Sequence, residues 1–371
     1  MKRMPMDELW VATEARLLAE ADSLGDLLVR IRDRIPTALV GTAEFDRLVD
    51  RARDLPVTMA AFPFGFELPL HKHRPQADLG ASVVAGSRTA ATFEEGGRSA
   101  SRAATSSAIA RLLGETGREA SLLGRIAGGK MVLEYDIELT PGGMHPDPGI
   151  FLYPDDGVLV GDGQRLNDVA VVADAVASAT RCPFGEPELR LIERVYRSMD
   201  AGTSVRSVGA FPSRDSGIRI VVTGFRATAQ VVAFLERAGW PGDLATVTST
   251  LSPLEQAGAF AYLGVHFDVC PDAVGRTLGL SCYAREQQWL HDIRHWTMLL
   301  DAIAAQGHVV PEKLSALAAS TGTERLFGRA GHIHLVRGIH HVKLVLTGDR
   351  IEQAKAYVFL LVIGVHPYGE R

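Results

Sequence analysis

Two stretches near the end of this 371-residue chain, His341-Val342-Lys343-Leu344-Val345-Leu346 and Ala354-Lys355-Ala356-Tyr357-Val358-Phe359, alternate polar with apolar residues. Successive side chains of an extended chain point to opposite faces. One face therefore carries His341, Lys343, Lys355 and Tyr357, and the other carries Val342, Leu344, Leu346 and Val358. Lys130–Glu138 repeats the pattern, with Lys130, Glu134, Asp136 and Glu138 opposite Met131, Leu133, Tyr135 and Ile137. In Tyr262–Val269 the polar side holds Tyr262, His266 and Asp268, and Arg219 takes the same place in Gly217-Ile218-Arg219-Ile220. Gathered on one inner surface, Lys130, Arg219, Lys343 and Lys355 need a neutralising anion. A ligand could supply it, or the chain's own Glu134, Asp136 and Asp268, in which case the charges pair as buried salt bridges. Glu134, His266, Asp268 and His341 are the groups for acid–base chemistry, since histidine changes charge near neutral pH and a carboxylate can take a proton.

Elements that present such faces recur along the chain. Helical periodicity covers Met6–Arg34 and Ala43–Arg53, with prolines at 36 and 56. Five strand pairs follow: Phe64–His73 with Ala77–Val84 (Thr89–Phe93 extending it), Lys130–Leu139 with Gly149–Tyr153, Ser204–Phe211 with Gly217–Thr223, Tyr262–Cys270 with Thr277–Tyr283, and His332–Leu346 (bent at Gly338) with Gln353–Ile363. Helical sequence lies between them, at Ser99–Leu123, Asn167–Ala179, Glu186–Met199, Ala227–Ala238, Leu254–Phe260, Gln287–Gln306 and Pro311–Ala319. The pairs repeat at roughly 60 to 70 residues, as repeated supersecondary units do. The pattern predicts an α+β fold: a closed antiparallel ten-stranded β-barrel of five strand-pair/helix units, helices outside, polar face inside. Residues 1–56 form a helical segment packing on the barrel, and residues 57–371 form a single barrel domain. Two open sheets side by side are the alternative.

Composition narrows the partners. The chain is 46% hydrophobic and 22% charged, with formal net charge −5, which speaks against a general nucleic-acid binder. Three cysteines without a CxxC support neither a disulfide framework nor a thiolate zinc site. No uninterrupted apolar run of about 18 residues is present, and Met1–Asp22 lacks the apolar core of a secretory signal, so a cytoplasmic protein without membrane contact is expected.

A ring of five such units around a polar cavity resembles the ABBA-type aromatic prenyltransferases, also called PT barrels. The Lys343 strand, the Lys355-Ala356-Tyr357 strand, Gly217-Ile218-Arg219-Ile220 and Thr277–Tyr283 carry the resemblance. It implies a barrel that binds an allylic diphosphate through inward cations, here Lys130, Arg219, Lys343 and Lys355, under a shield of tyrosines, here Tyr153, Tyr262, Tyr283 and Tyr357. Aromatic faces would stabilise the allylic cation by about 0.5–2 kcal/mol each, and Glu134 would take the proton lost by an aromatic nucleophile. The implied function is a transferase on an aromatic, peptide or polyketide acceptor in bacterial specialised metabolism. Two other functions fit the same scaffold: a peptide or natural-product cyclase or tailoring enzyme without diphosphate, using Glu134, His266, Asp268 and His341, and a non-catalytic binder of a peptide or hydrophobic ligand. The substrate is a small molecule or peptide. No motif requires a cofactor, Mg²⁺ is left open, and the oligomeric state is not read.

Histidines offer a rival chemistry. His71-Lys72-His73 and His332-Ile333-His334 each place two imidazoles on one strand face, a spacing suited to metal ligation, with Glu67 or Asp268 to complete the set. Closure of the barrel would make the first and fifth strand pairs neighbours. Gly124–Lys130 precedes a strand and so reads as a turn rather than a phosphate loop, and no Gly-x-Ser-x-Gly elbow supports a hydrolase.

Overall fold

The computed structural model describes residues 6–95, 103–137, 146–161, 163–214, 217–271, 273–284 and 291–364. Among these residues eleven strands form one sheet: β1 (Phe64–Pro69), β2 (Asp78–Val84), β3 (Lys130–Tyr135), β4 (Gly149–Leu152), β5 (Ser204–Ala210), β6 (Ile218–Phe225), β7 (Tyr262–Val269), β8 (Val274–Tyr283), β9 (Gly322–Gly328), β10 (Gly331–Thr347) and β11 (Arg350–Ile363). The order is β11-β1-β2-β3-β4-β5-β6-β7-β8-β10-β9, and β11 also pairs with β10. That second pairing closes ten strands into an antiparallel barrel, as the sequence predicts, and leaves β9 outside the ring on the N-terminal half of β10. Closure gives every ring strand two neighbours and removes the open edges of a flat sheet.

Parity assigns the two faces. Outward residues such as Leu133, Val265, Leu278, Leu280, Val342, Leu344 and Leu346 are fully buried. Among the described residues they lie under twelve helices: α1 (Met6–Glu20), α2 (Leu24–Ile31), α3 (Thr42–Ala52), α4 (Arg88–Glu94), α5 (Ala103–Thr116), α6 (Leu122–Ala127), α7 (Leu166–Thr180), α8 (Glu186–Arg197), α9 (Thr228–Ala238), α10 (Leu244–Gln256), α11 (Thr297–Ala305) and α12 (Pro311–Ser320). Each such aliphatic side chain contributes about 1.5–3 kcal/mol on burial, so the barrel is held from outside and its inner face is free for polar groups. Leu17, Leu24, Leu27 and Leu48 of α1–α3 belong to the same hydrophobic core as the strands.

Capping explains where the helices depart from their expected bounds. The Met6–Arg34 periodicity resolves into α1 and α2, because Ser23 accepts the Asp26 N–H and starts a new helix. Thr89–Phe93 is helical rather than extended: Gly86 turns the chain at φ +76°, and the Ser87 hydroxyl caps the Ala90 N–H. Ser99–Leu123 is not one helix, since α5 ends at Thr116 and Ser121 caps α6 through the Gly124 N–H. Asp243 accepts from Ala245 and Thr246 and so starts α10 ten residues before the expected Leu254. The bend of the last pair falls at a register shift between Ile339 and His341, beyond Gly338. Glu138 and the start of the Gln287–Gln306 helix lie outside the described residues.

Candidate active site in the barrel lumen

The register fixes which polar groups meet. Lys343 faces Lys355 and His341 faces Tyr357 across β10–β11, while Glu67 of β1 faces Tyr357 of β11 on one side and Asp78 of β2 on the other. Glu134 of β3 lies opposite Gly80, Arg219 of β6 opposite Asp268 of β7, His266 of β7 opposite Gly279 of β8, and Lys343 opposite Ser281. These side chains converge on one lumen. A Cβ built on Gly80 would touch nothing within 4 Å, so space stands open beside Glu134.

A continuous polar chain runs along the β10–β11–β1 seam. The Lys343 ammonium donates to the Tyr357 hydroxyl, and Tyr357 donates to Glu67 Oε2. Lys355 donates to Glu67 Oε1 at 2.5 Å. Both members of that ion pair keep about a fifth of their side-chain surface exposed, 21% for Lys355 and 19% for Glu67. Burial opposes the Glu67 charge, but the Lys355 and Lys343 ammonium groups and the two hydrogen bonds outweigh it and hold the carboxyl well below the usual range. Burial moves Lys343 the other way, down to about 8, with Glu67 resisting and Lys355 and Arg219 assisting. Arg219 binds Asp268 through two hydrogen bonds of 2.8 and 3.1 Å. Such a fork is among the stronger charge-assisted pairs.

The other carboxyls are left to their surroundings. Burial, the Glu67 charge and Asp136 push Asp78 up to about 7, against one hydrogen bond of 3.0 Å from the Ile137 N–H. Burial and the same Glu67 charge raise Glu134, and Lys343, Arg219 and Arg214 only partly offset this. The imidazoles shift downward for the matching reason. Burial, Lys343 and Arg219 put His266 well below its ordinary value, and its Nε2 lies 2.7 Å from the Ser281 hydroxyl. Burial, then the neighbouring His340 and His266 and the Lys343 ammonium, likewise put His341 well below its ordinary value.

Aromatic rings line the rest. His341 stacks on Tyr357 with centroids 4.1 Å apart, Tyr283 tilts against His341 at 5.2 Å, and Tyr262 stacks on Tyr283 at 4.4 Å. The Lys343 ammonium lies 4.5 Å from the Tyr357 centroid, and the Arg206 guanidinium lies 5.5 Å from that of Tyr153. Burial and the Glu134 charge push the Tyr153 hydroxyl up to about 12.

The structure brings together Glu134, His266, Asp268, His341, Arg219, Lys343, Lys355, Tyr153, Tyr283 and Tyr357, with Tyr262 stacked beyond Tyr283. Lys130 does not join them. It has the right parity but opens β3 at the barrel rim, 60% exposed and 3.8 Å from Asp155. The metal alternative also fails in the described residues. His71 binds Ala354, whereas His334 lies opposite Ile363 at the other end of β11. Nine residues at about 3.4 Å each separate the two His-x-His pairs by roughly 30 Å, and no cluster of three ligating side chains is found among the described residues. His73 and His332 share the fate of their partners. Three lumen groups escape the sequence reading. Asp78 opens its strand, Glu67 stands out in Phe64–Pro69 but reads there only as a metal ligand, and His340 has the wrong parity until the bulge is known.

No family model and no curated protein matches this chain. Among solved structures it is similar to 5-dimethylallyltryptophan synthase from Streptomyces coelicolor, at 14% identity and TM-score 0.48, over 91% of this chain and 97% of that one. It is also similar to 6-dimethylallyltryptophan synthase from Micromonospora olivasterospora in complex with DMASPP and Trp, at 14% and 0.48, over 95% and 97% of the two chains. The apo form of the prenyltransferase PriB gives 16% and 0.48, over 91% and 96%. Function has to come from this chain's own lumen. No helix among the described residues is long and apolar enough to cross a membrane.

Proposed function

We propose that the barrel is a prenyltransferase-like transferase that joins an allylic diphosphate to an aromatic or peptide acceptor inside its lumen. The observation that carries this reading is Lys343. Among the described residues its ammonium donates to the Tyr357 hydroxyl and to no carboxylate, at a point where Arg219 and Lys355 also act on it. A cation so placed, over the Tyr357 ring that stacks on His341, suits a donor that leaves as an anion and passes through a carbocation. The open space at Gly80 beside Glu134 suits the acceptor. In this reading Arg219 and Lys355 exchange part of their pairing with Asp268 and Glu67 for the incoming oxygens, and Glu134 and His341 are the candidate proton acceptors. Calorimetric titration with geranyl diphosphate and with pyrophosphate, at low and high salt, tests it. Saturable heat that weakens with salt is expected. No heat and no thermal shift at millimolar ligand would remove the diphosphate.

A second reading rests on the ion pairs themselves. Arg219–Asp268 and Lys355–Glu67 already neutralise two of the inward cations, and Asp78 and Glu134 add two further carboxyls. A lumen so supplied suits a cyclase or tailoring enzyme that moves protons on a peptide or natural product without a diphosphate. The same titration separates the two readings.

A further inference from the structure

β10 carries one residue more than its partner accommodates. Ile339 lies opposite Val358 and His341 opposite Tyr357, which leaves His340 as the extra residue of a β-bulge. A bulge re-aims a side chain, and here two consecutive imidazoles meet although successive strand residues normally diverge. Their Nδ1 atoms are 2.7 Å apart, with ring centroids at 5.0 Å and planes at 75°. At that distance one Nδ1 carries the hydrogen and the other the lone pair. His341 is only 6% exposed, and its Nε2 has no hydrogen-bond partner. His340 is half-buried and lies edge-on to Tyr283. His266 of β7, Tyr283 of β8, Lys343 of β10 and Tyr357 of β11 surround His341, and Arg206 of β5 acts on His340.

We propose that His341 and His340 form a two-imidazole proton relay, in which Nε2 of His341 takes the proton that the acceptor loses and His340 passes one outward. This rests on the transferase reading. The acceptor atom forms its bond to the allylic carbon as the carbon–oxygen bond to diphosphate breaks, and the diphosphate leaves with the electron pair. The acceptor's proton goes to His341 Nε2, the His341 Nδ1 proton goes to His340 Nδ1, and the His340 Nε2 proton goes to water. Both rings stay neutral throughout. Burial opposes a lone imidazolium among these cations, so a single histidine would be a poor base here, whereas a relay never holds the charge. After the product leaves, lumen water resets the pair by the reverse transfers.

Selective ¹⁵N labelling of histidine tests the relay directly. A nitrogen–nitrogen coupling across the shared proton is expected in the unaltered protein and should vanish in His340→Phe. Two variants then separate relay from positioning. His340→Asn keeps a side-chain oxygen that accepts from the His341 Nδ1–H but cannot take up and pass a proton, and His340→Phe keeps neither. With geranyl diphosphate and indole or phenol, both variants should lose at least ~100-fold in kcat with KM unchanged and the melt intact. Absence of the coupling, or turnover by His340→Asn equal to the unaltered protein, overturns the relay. Diphosphate binding is measured by calorimetry on the same samples. Lost turnover with intact binding belongs to the relay, whereas no binding in the unaltered protein sinks the transferase reading and leaves the coupling to decide whether the shared proton exists.

Discussion

The lumen has two contrasting arcs. On β1–β3 it is lined by carboxyls, Glu67, Asp78 and Glu134, and on β7–β10 by imidazoles, His266, His340 and His341. Burial penalises charge in both, so Asp78 and Glu134 rise on one arc, His266, His340 and His341 fall on the other, and each of these groups is pushed toward its neutral form. The exceptions hold partners. Glu67 stays ionised because Lys355, Lys343 and Tyr357 offset its burial, and the Asp268 carboxylate raises Arg219 against the same burial. Burial sets the default in this barrel, and well-placed counter-charges with their hydrogen bonds override it.

The largest expected effect comes from breaking the seam between the arcs. Lys355→Ala leaves Glu67 without its ion pair and should lower unfolding stability by roughly 3–5 kcal/mol, the range for orphaned buried partners. The double change Lys355→Ala with Glu67→Gln should recover most of that in urea titrations. A loss that persists in the double variant would show that packing, not charge, holds the seam.

On the acidic arc, Asp78→Asn should stabilise the protein at pH 8. The folded pKa of Asp78 lies near 7, above its ordinary 3.8, so the native state prefers the protonated form. The penalty is absent below the unfolded value, grows as pH rises between the two, and is complete above about 7. Asparagine removes it while its carbonyl still accepts from Ile137. The gain should be on the order of 3 kcal/mol at pH 8 and near zero at pH 3.5. Equal gains at both pH values would break the contrast between the arcs.

The basic arc should slope the opposite way. Burial, then Arg206, lowers His340 from 6.5 to about 4, so protonating the unfolded chain is favoured as pH falls below 6.5. His340 alone should remove about 2 kcal/mol of stability between pH 7.5 and pH 5, and His340→Phe should flatten that limb by the same amount. An unchanged limb would mean that His340 titrates normally.

Lys343→Ala should have the smallest effect on stability, about 1 kcal/mol or less. Its ammonium is already disfavoured by burial and gives one hydrogen bond to Tyr357. Its effect should appear instead as lost heat in the diphosphate titration.

Face, but not height, was legible in the sequence. Alternation told that Lys343, Lys355, Tyr357, Glu134, His266 and Asp268 share the inner surface, and the recurring strand pairs told that the surface closes. Parity is blind to position along the barrel axis, so Lys130 shares the face of Glu134 yet lies at the rim. The same blindness let His71 and His334 look like neighbours when they sit at opposite ends of β11. An inserted residue reverses parity locally, and nothing in Gly338-Ile339-His340-His341 marks which residue is extra. β9 escaped because Gly322–Gly328 mixes charges with only two large apolar residues and lies outside the ring.

The β1–β11 seam also bears on how the protein is made. Phe64 pairs with Leu360, so the ring cannot close until residues 350–363 have been synthesised. At about 5–20 residues per second, β1 waits roughly 15 seconds to a minute for its partner. Throughout that interval a nascent sheet carries one unpaired strand at its leading edge, the kind of surface that recruits other chains. Long-range pairing of this sort also makes folding slow, so the yield of soluble protein should depend on the speed of translation and the supply of chaperones more than on the final stability of the barrel.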